Sequence, residues 1–357
     1  MRPRQSTFLI GVIRRRLPAP SPMPRRNIFA GTSAGWEREK DVTSADRLAI
    51  TVAGLAFQNP IVLASGTAGY GVELANVVDL EGVGGLTTKA VSVEPRAGND
   101  SPRVAELDEG MINSVGLANP GVERVKSAYV PWLASHLTRT RKLVNVVGNA
   151  AEDYAQVVAE LDACARSAGD AAIDAYELNV SCPNVKAGGM EFSADPESLR
   201  TVIRLARAQT RRPLFVKLSP MLPDIVRTAK VAVDAGADGL TLVNTMPGLA
   251  IDVERRRPIL GFGSGGVSGP GLLPVGVLAT WRVSRAVKVP IIGIGGVSSG
   301  SDALQYMMAG ASLVGVGTAA MRDPRAPQRI VKELDAWCRR HDVYSLAGIV
   351  GTLEWSI

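Results

Sequence analysis

Eight short apolar runs recur along the chain after residue 48, and segments of helical period separate them. The helical segments include residues 153–168, 196–209, 224–235, 301–309 and 327–340. The apolar runs are residues 61–64, 85–89, 143–147, 176–180, 214–218, 239–244, 290–294 and 312–317. Alternating strands and helices, with strands apolar along nearly their whole length, indicate a parallel sheet covered on both faces. The eight units predict an α/β fold, the closed (β/α)8 TIM barrel, with a doubly wound open sheet as the alternative.

Two further segments lie outside this repeat. Ile50–Val52 and Leu55–Phe57 flank Ala53-Gly54 and predict a small N-terminal β-hairpin that closes the bottom of the barrel. Residues 259–271, between the sixth and seventh strands, are too rich in glycine for a helix. They predict an excursion over the top of the barrel.

The net charge of +6 is concentrated at the N-terminus. Residues 1–48 carry ten lysines and arginines against four acidic residues, whereas the rest of the chain carries 30 of each sign. We therefore expect a basic, disordered extension over residues 1–48 and one barrel domain over residues 49–357. A transit peptide and an anion-binding role are the alternatives for the extension. No nucleic-acid partner is expected, no apolar run has the roughly 18 residues of a membrane span, and a cytoplasmic location is predicted.

Three cysteines and two histidines limit the metal and hydrolytic chemistry open to the chain. None of Cys164, Cys182 and Cys338 lies in a Cys-x-x-Cys pair, so we expect no metal site and no iron–sulfur cluster on this chain. His136 and His341 lie in polar helical stretches. Both are predicted to be solvated rather than catalytic.

Amides, lysines, glycines and one cysteine end the predicted strands. In a TIM barrel the C-terminal ends of the strands form the mouth of the active site. In chain order these ends are Ser65-Gly66, Lys89-Ala90, Asn145, residues 179–182, residues 217–219, Asn244-Thr245, Gly295-Gly296 and Gly317-Thr318. No pair of carboxylates is among them, which disfavours a glycosidase or a two-metal site.

The last two strands predict a phosphate-binding end of this mouth. Backbone N–H groups at Gly295-Gly296 and Gly317-Thr318 can approach an anion closely, and a following helix N-terminus favours negative charge. Lys217 ends a buried strand, so its ammonium is expected to meet an anion inside the mouth. A reduced flavin, a Schiff-base substrate and a structural ion pair remain open as its partner.

Several motifs resemble those of the class 1 dihydroorotate dehydrogenases. The most specific is residues 179–189, Asn-Val-Ser-Cys-Pro-Asn-Val-Lys-Ala-Gly-Gly. The others are residues 88–90, 113–121, 216–220, 243–245, 265–270 and 293–297, in the order of the family. The similarity runs from about residue 50 to the C-terminus, and the ending of the first motif is similar to the 1B subclass.

The resemblance implies an FMN-containing barrel that oxidises (S)-dihydroorotate to orotate in pyrimidine biosynthesis. Cys182 would be the general base that takes the C5 proton, while hydride passes from C6 to the flavin. The implied substrate contacts are Lys89, Asn113, Ser114, Val115, Gly116, Leu117, Asn179, Asn244 and Thr245. The implied FMN contacts are Ser65, Lys89, Ala90, Asn145, Asn179, Lys217, Val243, Gly269, Gly295, Gly296, Gly317 and Thr318.

The resemblance to the 1B subclass also implies a partner subunit. Family members of this type pass electrons to NAD through a separate subunit that carries FAD and a [2Fe–2S] cluster, in a heterotetramer. A fumarate-reducing class 1A enzyme and a dihydropyrimidine dehydrogenase barrel are the alternatives. A class 2, quinone-reducing enzyme is disfavoured because that class uses serine in the place of Cys182.

Overall fold

The computed structural model describes residues 43–169, 171–181, 183–184 and 190–355. Its strands are β1 (Ile50–Val52), β2 (Leu55–Phe57), β3 (Ile61–Leu63), β4 (Gly85–Thr87), β5 (Val104–Leu107), β6 (Gly110–Asn113), β7 (Arg141–Val146), β8 (Ala175–Asn179), β9 (Pro183–Asn184), β10 (Met190–Glu191), β11 (Leu214–Leu218), β12 (Gly239–Leu242), β13 (Met246–Gly248), β14 (Ile251–Asp252), β15 (Arg257–Pro258), β16 (Gly265–Ser268), β17 (Ile291–Ile294) and β18 (Leu313–Val316). Eight of them close into a parallel barrel in the order β11-β12-β17-β18-β3-β4-β7-β8. Each predicted apolar run contains or overlaps one barrel strand. The TIM-barrel prediction is confirmed, and the open-sheet alternative is wrong.

Helices follow the barrel strands and cover the outside of the sheet. They are α1 (Ser44–Leu48), α2 (Gly121–Arg124), α3 (Val130–His136), α4 (Ala151–Ser167), α5 (Pro196–Arg207), α6 (Ile225–Asp234), α7 (Leu273–Ser284), α8 (Gly300–Met308), α9 (Thr318–Arg322) and α10 (Ala326–Arg340). Side-chain caps fix several starts: Asp195, Asp224 and Ser299 each accept a hydrogen bond from a backbone N–H of the first turn. The five helical segments predicted from the sequence correspond to α4, α5, α6, α8 and α10.

The hairpin β1–β2 closes the bottom of the barrel, as predicted. It pairs Ile50 with Phe57 and Val52 with Leu55. Its buried side chains pack on the residues that fill the lower barrel, namely Val62, Leu143, Ala175, Phe215, Ile292 and Leu313. Because this end is filled with apolar side chains, the polar strand ends gather at the opposite end.

The excursion above the barrel is a four-stranded antiparallel sheet in the order β13-β16-β6-β5. The segment between the sixth and seventh barrel strands enters this sheet at Met246, the first residue of β13, and not at residue 259 as predicted. The sheet also contains the hairpin β5–β6, which was not predicted. Strands β16 and β6 pair Ser268 with Met111 and Gly266 with Asn113. The sheet therefore brings the loop after β6 to the mouth of the barrel.

Residues 44–48, placed in the N-terminal extension by the sequence prediction, form α1. Arg47 Nη1 lies 2.6 Å from Asp335 Oδ1 of α10, which fixes this helix to the barrel wall. The extension as a whole stays a prediction, since residues 1–42 lie outside the described ranges. Among the helices described, none has the length and hydrophobicity that crossing a bilayer demands.

Candidate active site

Lys217 brings a buried positive charge to the mouth of the barrel. Phe215 on the same strand fills the lower barrel, and alternate residues of a strand point to the same side, so Lys217 points inward above it. Its side chain is 5% exposed, and Nζ donates a hydrogen bond to Ser65 Oγ at 3.0 Å. Within the described part of the chain no carboxylate pairs with this ammonium. A structural ion pair with a described residue therefore does not explain the buried charge of Lys217.

An amide network connects three of the predicted substrate contacts. Asn244 Nδ2 donates to Ser181 Oγ at 2.7 Å, and Ser181 Oγ donates to Asn179 Oδ1 at 3.1 Å. The backbone N–H of Thr245 donates to Asn244 Oδ1 at 2.9 Å. Ser181, which was not predicted as a site residue, links the end of β8 to the end of β12.

The end of β6 and the loop after it supply the predicted substrate contacts from Asn113 to Leu117, whereas Lys89 follows β4 and is half-buried. Asn113 Nδ2 donates to the carbonyl of Gly266, and Ser114 Oγ is buried without a partner among the described residues. Leu117 has a φ of 56°, which is uncommon outside glycine and asparagine and tends to mark functional loops. Buried Asn119 holds this turn, because its Nδ2 donates to the carbonyl of Leu117 at 2.9 Å.

Glycine is needed for different structural reasons at different positions of the predicted phosphate end. Gly295 and Gly296 have φ of 126° and 75°, a region that side chains disfavour. A Cβ on Gly317 would make only ordinary contacts, the nearest at 3.5 Å, so this position keeps free space. Gly269 is needed for another reason, since a Cβ there would lie 2.6 Å from the Cα of Gly110.

A hydrogen bond of 2.7 Å between two hydroxyl groups joins the excursion to the predicted phosphate end of the mouth. Thr318 Oγ1, at the first residue of α9, donates to Ser268 Oγ on β16. The predicted FMN contacts Gly317, Thr318 and Gly269 therefore lie in one region.

Three buried tyrosines hold the backbone of predicted site residues. Each hydroxyl donates to a carbonyl oxygen at 2.9 Å, and the pairs are Tyr70 with Ala90, Tyr154 with Asn179, and Tyr306 with Gly295. Burial raises the pKa of Tyr70 and of Tyr306, so these phenols stay protonated and remain donors. None of the three was predicted, because a tyrosine in an apolar segment is most often part of the core.

Below the mouth, Glu177 on β8 brings a carboxylate into the interior of the barrel. It is 2% exposed and accepts hydrogen bonds from Asn145 Nδ2 and Thr241 Oγ1. The oxygen of the Asn145 amide is buried and has no partner in the described ranges. Val243, also a predicted FMN contact, is buried at the end of β12 and donates its N–H to Ile294.

The remaining predictions fall in two groups. Cys182 lies outside the described residues, so its role as general base stays a prediction. His136 and His341 are exposed, and they stack on Trp132 and Trp337 respectively.

Comparison with known proteins assigns this architecture to a family. A family model described as dihydroorotate dehydrogenase matches residues 47–337. Proteins named dihydroorotate dehydrogenase B (NAD(+)), catalytic subunit, from Geobacter sp. (strain M21) and Citrifermentans bemidjiense are each 45% identical to the chain over 307 residues, which is 86% of this chain and 98% of theirs. A solved dihydroorotate dehydrogenase from Eimeria tenella, in complex with ferulenol, has the same fold, with a TM-score of 0.73 and 24% identity over 89% of this chain and 93% of that one. The chain belongs to the dihydroorotate dehydrogenase family.

Proposed function

We propose that this chain oxidises (S)-dihydroorotate to orotate, holds FMN in the barrel mouth, and passes the electrons through a partner subunit to NAD. Family membership and the names of the 45% identical relatives support the reaction. The observation that carries the proposal is Lys217, a buried ammonium whose described partner is a neutral hydroxyl. A buried cation of this kind calls for an anionic ligand.

The described residues fit a flavin. Asn145 offers a buried carbonyl oxygen without a donor, and Lys217 offers an ammonium without a carboxylate among the described residues. When bound, FMN supplies the acceptor for the hydride that leaves C6 of dihydroorotate. The Lys217 ammonium would face the N1–C2=O edge of the ring, where negative charge accumulates on reduction. Gly295, Gly296 and Gly317 would leave backbone N–H groups free to approach the phosphate.

The amide network suits the ureide ring of dihydroorotate. Asn179 and Asn244 are held through Ser181, and asparagine amides can both donate to C=O groups and accept from N–H groups. Half-buried Lys89, together with residues 113–117 at the end of β6 and in the loop after it, would bind the carboxylate. These contacts would hold C6 at a fixed position in the mouth.

We assign the removal of the C5 proton of dihydroorotate to Cys182 on the basis of its sequence motif. The thiol of a free cysteine has a pKa of about 8.5, so proton transfer near neutrality requires either a lower pKa or a concerted reaction. Ser181, the residue before it, is buried and bonded to Asn179 and Asn244. The start of the cysteine loop is therefore joined to the proposed substrate contacts.

The partner subunit is part of the same proposal. The relatives are named as catalytic subunits, which supports a second subunit for electron transfer. The chain has three cysteines and none in a Cys-x-x-Cys pair, so we place the FAD and the [2Fe–2S] cluster on that partner. The cytoplasmic location expected from the sequence belongs to this proposal as well.

Anaerobic mixing of the FMN-loaded chain with dihydroorotate tests the proposed reaction. We expect loss of the visible absorption band of the oxidised flavin, followed by its return when NAD and the partner subunit are added. Faster bleaching by dihydrouracil would instead support a dihydropyrimidine dehydrogenase. Return of the band with fumarate alone would replace the NAD assignment with that of a class 1A enzyme.

A further inference from the structure

Glu177 is a buried carboxylate that the proposed mechanism does not use. It lies on β8, two residues before Asn179, and both side chains point into the barrel because alternate residues share a side. Its exposed fraction is 2%. Buried carboxylates are rare unless they are paired, and across the described residues no lysine or arginine forms an ion pair with Glu177.

Two hydrogen-bond donors from different strands hold this carboxylate. Asn145 Nδ2 on β7 donates to Oε1 at 2.7 Å, and Thr241 Oγ1 on β12 donates to Oε2 at 2.8 Å. Strand β7 is adjacent to β8, whereas β12 is separated from β8 by β11. The carboxylate therefore connects, through the barrel interior, two side chains whose strands, β7 and β12, are not neighbours in the sheet.

The bond to Glu177 fixes which end of the Asn145 amide is available. The backbone of Asn145 is held on both sides, since its N–H donates to Thr88 Oγ1 and its carbonyl accepts from Val91. Its Nδ2 is committed to Glu177, and its Oδ1 is buried with no donor among the described residues. A carboxylate only accepts hydrogen bonds, so it excludes the reversed orientation of the amide.

We propose that Glu177 is a positioning residue, which holds the Asn145 amide so that Oδ1 accepts a hydrogen bond from the N3–H group of FMN. This inference rests on the proposed function, because it assumes that FMN occupies the mouth. Oxidised flavin has one ring N–H, at N3, beside the C2 carbonyl that Lys217 is proposed to face. Without Glu177 the amide is free to turn and present Nδ2, which cannot accept a hydrogen bond.

The test is titration of the FMN-free protein with FMN, followed by the quenching of flavin fluorescence. We expect Asn145→Ala to weaken FMN binding by about tenfold, as for one lost hydrogen bond. Glu177→Met should weaken it to the same extent, because the proposal places Asn145, and not residue 177, in contact with the flavin. Glu177→Gln should bind FMN like the wild type, because its oxygen can accept from Asn145 while its amide donates to Thr241. The exposed Glu106→Gln variant is the matched control.

The double variant Glu177→Met/Asn145→Ala distinguishes positioning from a general structural effect. If Glu177 acts through Asn145, the double variant binds FMN no more weakly than Asn145→Ala alone. Additive losses would overturn the proposal. Equal FMN binding by folded Glu177→Met and the wild type would also overturn it.

A flavin analogue gives a test that does not depend on the folding of any Glu177 variant. We expect the wild type to bind 3-methyl-FMN, which lacks N3–H, about tenfold more weakly than FMN. Asn145→Ala should not distinguish the two flavins. Equal affinity of the wild type for both would overturn the inference and leave the proposed function standing. Failure of the wild type to bind FMN at all would overturn the proposed function itself.

Discussion

The Nζ of Lys217 lies 3.0 Å from Ser65 Oγ, and the two residues come from opposite sides of the barrel. Lys217 is on β11 and Ser65 follows β3, which is four strands away in either direction around the ring. The ammonium therefore reaches across the mouth instead of lying along its wall. A hydroxyl gives it a hydrogen bond but no opposite charge, so the cation is available to a ligand.

Replacement of Lys217 by methionine should weaken FMN binding and stabilise the FMN-free protein. A hydrogen bond to a charged group contributes about 1.5–3 kcal/mol, so we expect about a tenfold to hundredfold rise in the dissociation constant. Removing a buried charge that lacks a partner should raise the melting temperature of the FMN-free form. Fluorescence titration and thermal unfolding measure the two effects. The exposed Lys230→Met variant on α6 is the matched control, and a Lys217→Met protein with unchanged FMN affinity would contradict the proposed role.

Substitution of Cys182 by alanine should leave FMN bound but slow its reduction by dihydroorotate. General base catalysis contributes about 10²–10⁴-fold to a rate, and the reductive half-reaction should fall by that factor. Stopped-flow absorption under anaerobic conditions measures it. Cys164→Ala is the matched control, because Cys164 is half-buried on α4. Unchanged reduction kinetics in Cys182→Ala would remove the residue from this role.

The barrel was predictable because its strands have a strong local signal. Each is a short apolar run that is buried on both faces, and such a run can be recognised in the sequence without knowing which strands it pairs with. The hairpin β5–β6 lacks that signal, since the residues of β5 alternate between exposed and half-buried positions. Its pairing with β16 joins Met111 to Ser268, far apart in sequence, and the local pattern does not carry such a contact.

The same distinction separates the site residues that were predicted from those that were missed. Lys217 and Asn145 come at the ends of apolar strands, where a polar residue stands out in the sequence. Ser181 links Asn179 to Asn244, and Asn244 is 63 positions away from it in sequence. Glu177 did carry a signal, because a charged residue inside the apolar run 176–180 has to point into the barrel or into the layer of helices. Which donors it meets there depends on the closure of the barrel.

Cys338 should remain unreactive towards alkylating reagents in the folded protein at pH 8. Burial raises the pKa of its thiol from 9.0 to about 11, and only the thiolate reacts. The raised pKa favours the folded state below pH 9, and this contribution is lost as the pH rises from about 9 to about 11. Cys338→Ala should therefore show a smaller alkaline loss of stability in urea titrations over this range. Rapid alkylation of folded protein at Cys338, identified by mass spectrometry, would contradict this prediction.

Two glycines test the proposed phosphate end: Gly296 lies in the loop after β17, and Gly271 lies between β16 and α7. Gly296 has a φ of 75°, and a Cβ there would lie 2.5 Å from the backbone N of Leu273, so Gly296→Ala must displace backbone. Gly271 has no atom within 4 Å of an added Cβ, and its φ lies outside the left-handed region, which makes Gly271→Ala the matched control. We expect Gly296→Ala to lose about 1–3 kcal/mol of stability and Gly271→Ala to lose none.

Comparison of FMN with riboflavin shows which part of the cofactor this loop contacts. Riboflavin has the same ring but lacks the phosphate. If the Gly296 loop binds the phosphate through backbone N–H groups, Gly296→Ala should weaken FMN binding by about tenfold or more and leave riboflavin binding nearly unchanged. Gly271→Ala should bind both flavins as the wild type does. An equal loss for FMN and riboflavin in Gly296→Ala would place the ring, rather than the phosphate, beside this loop.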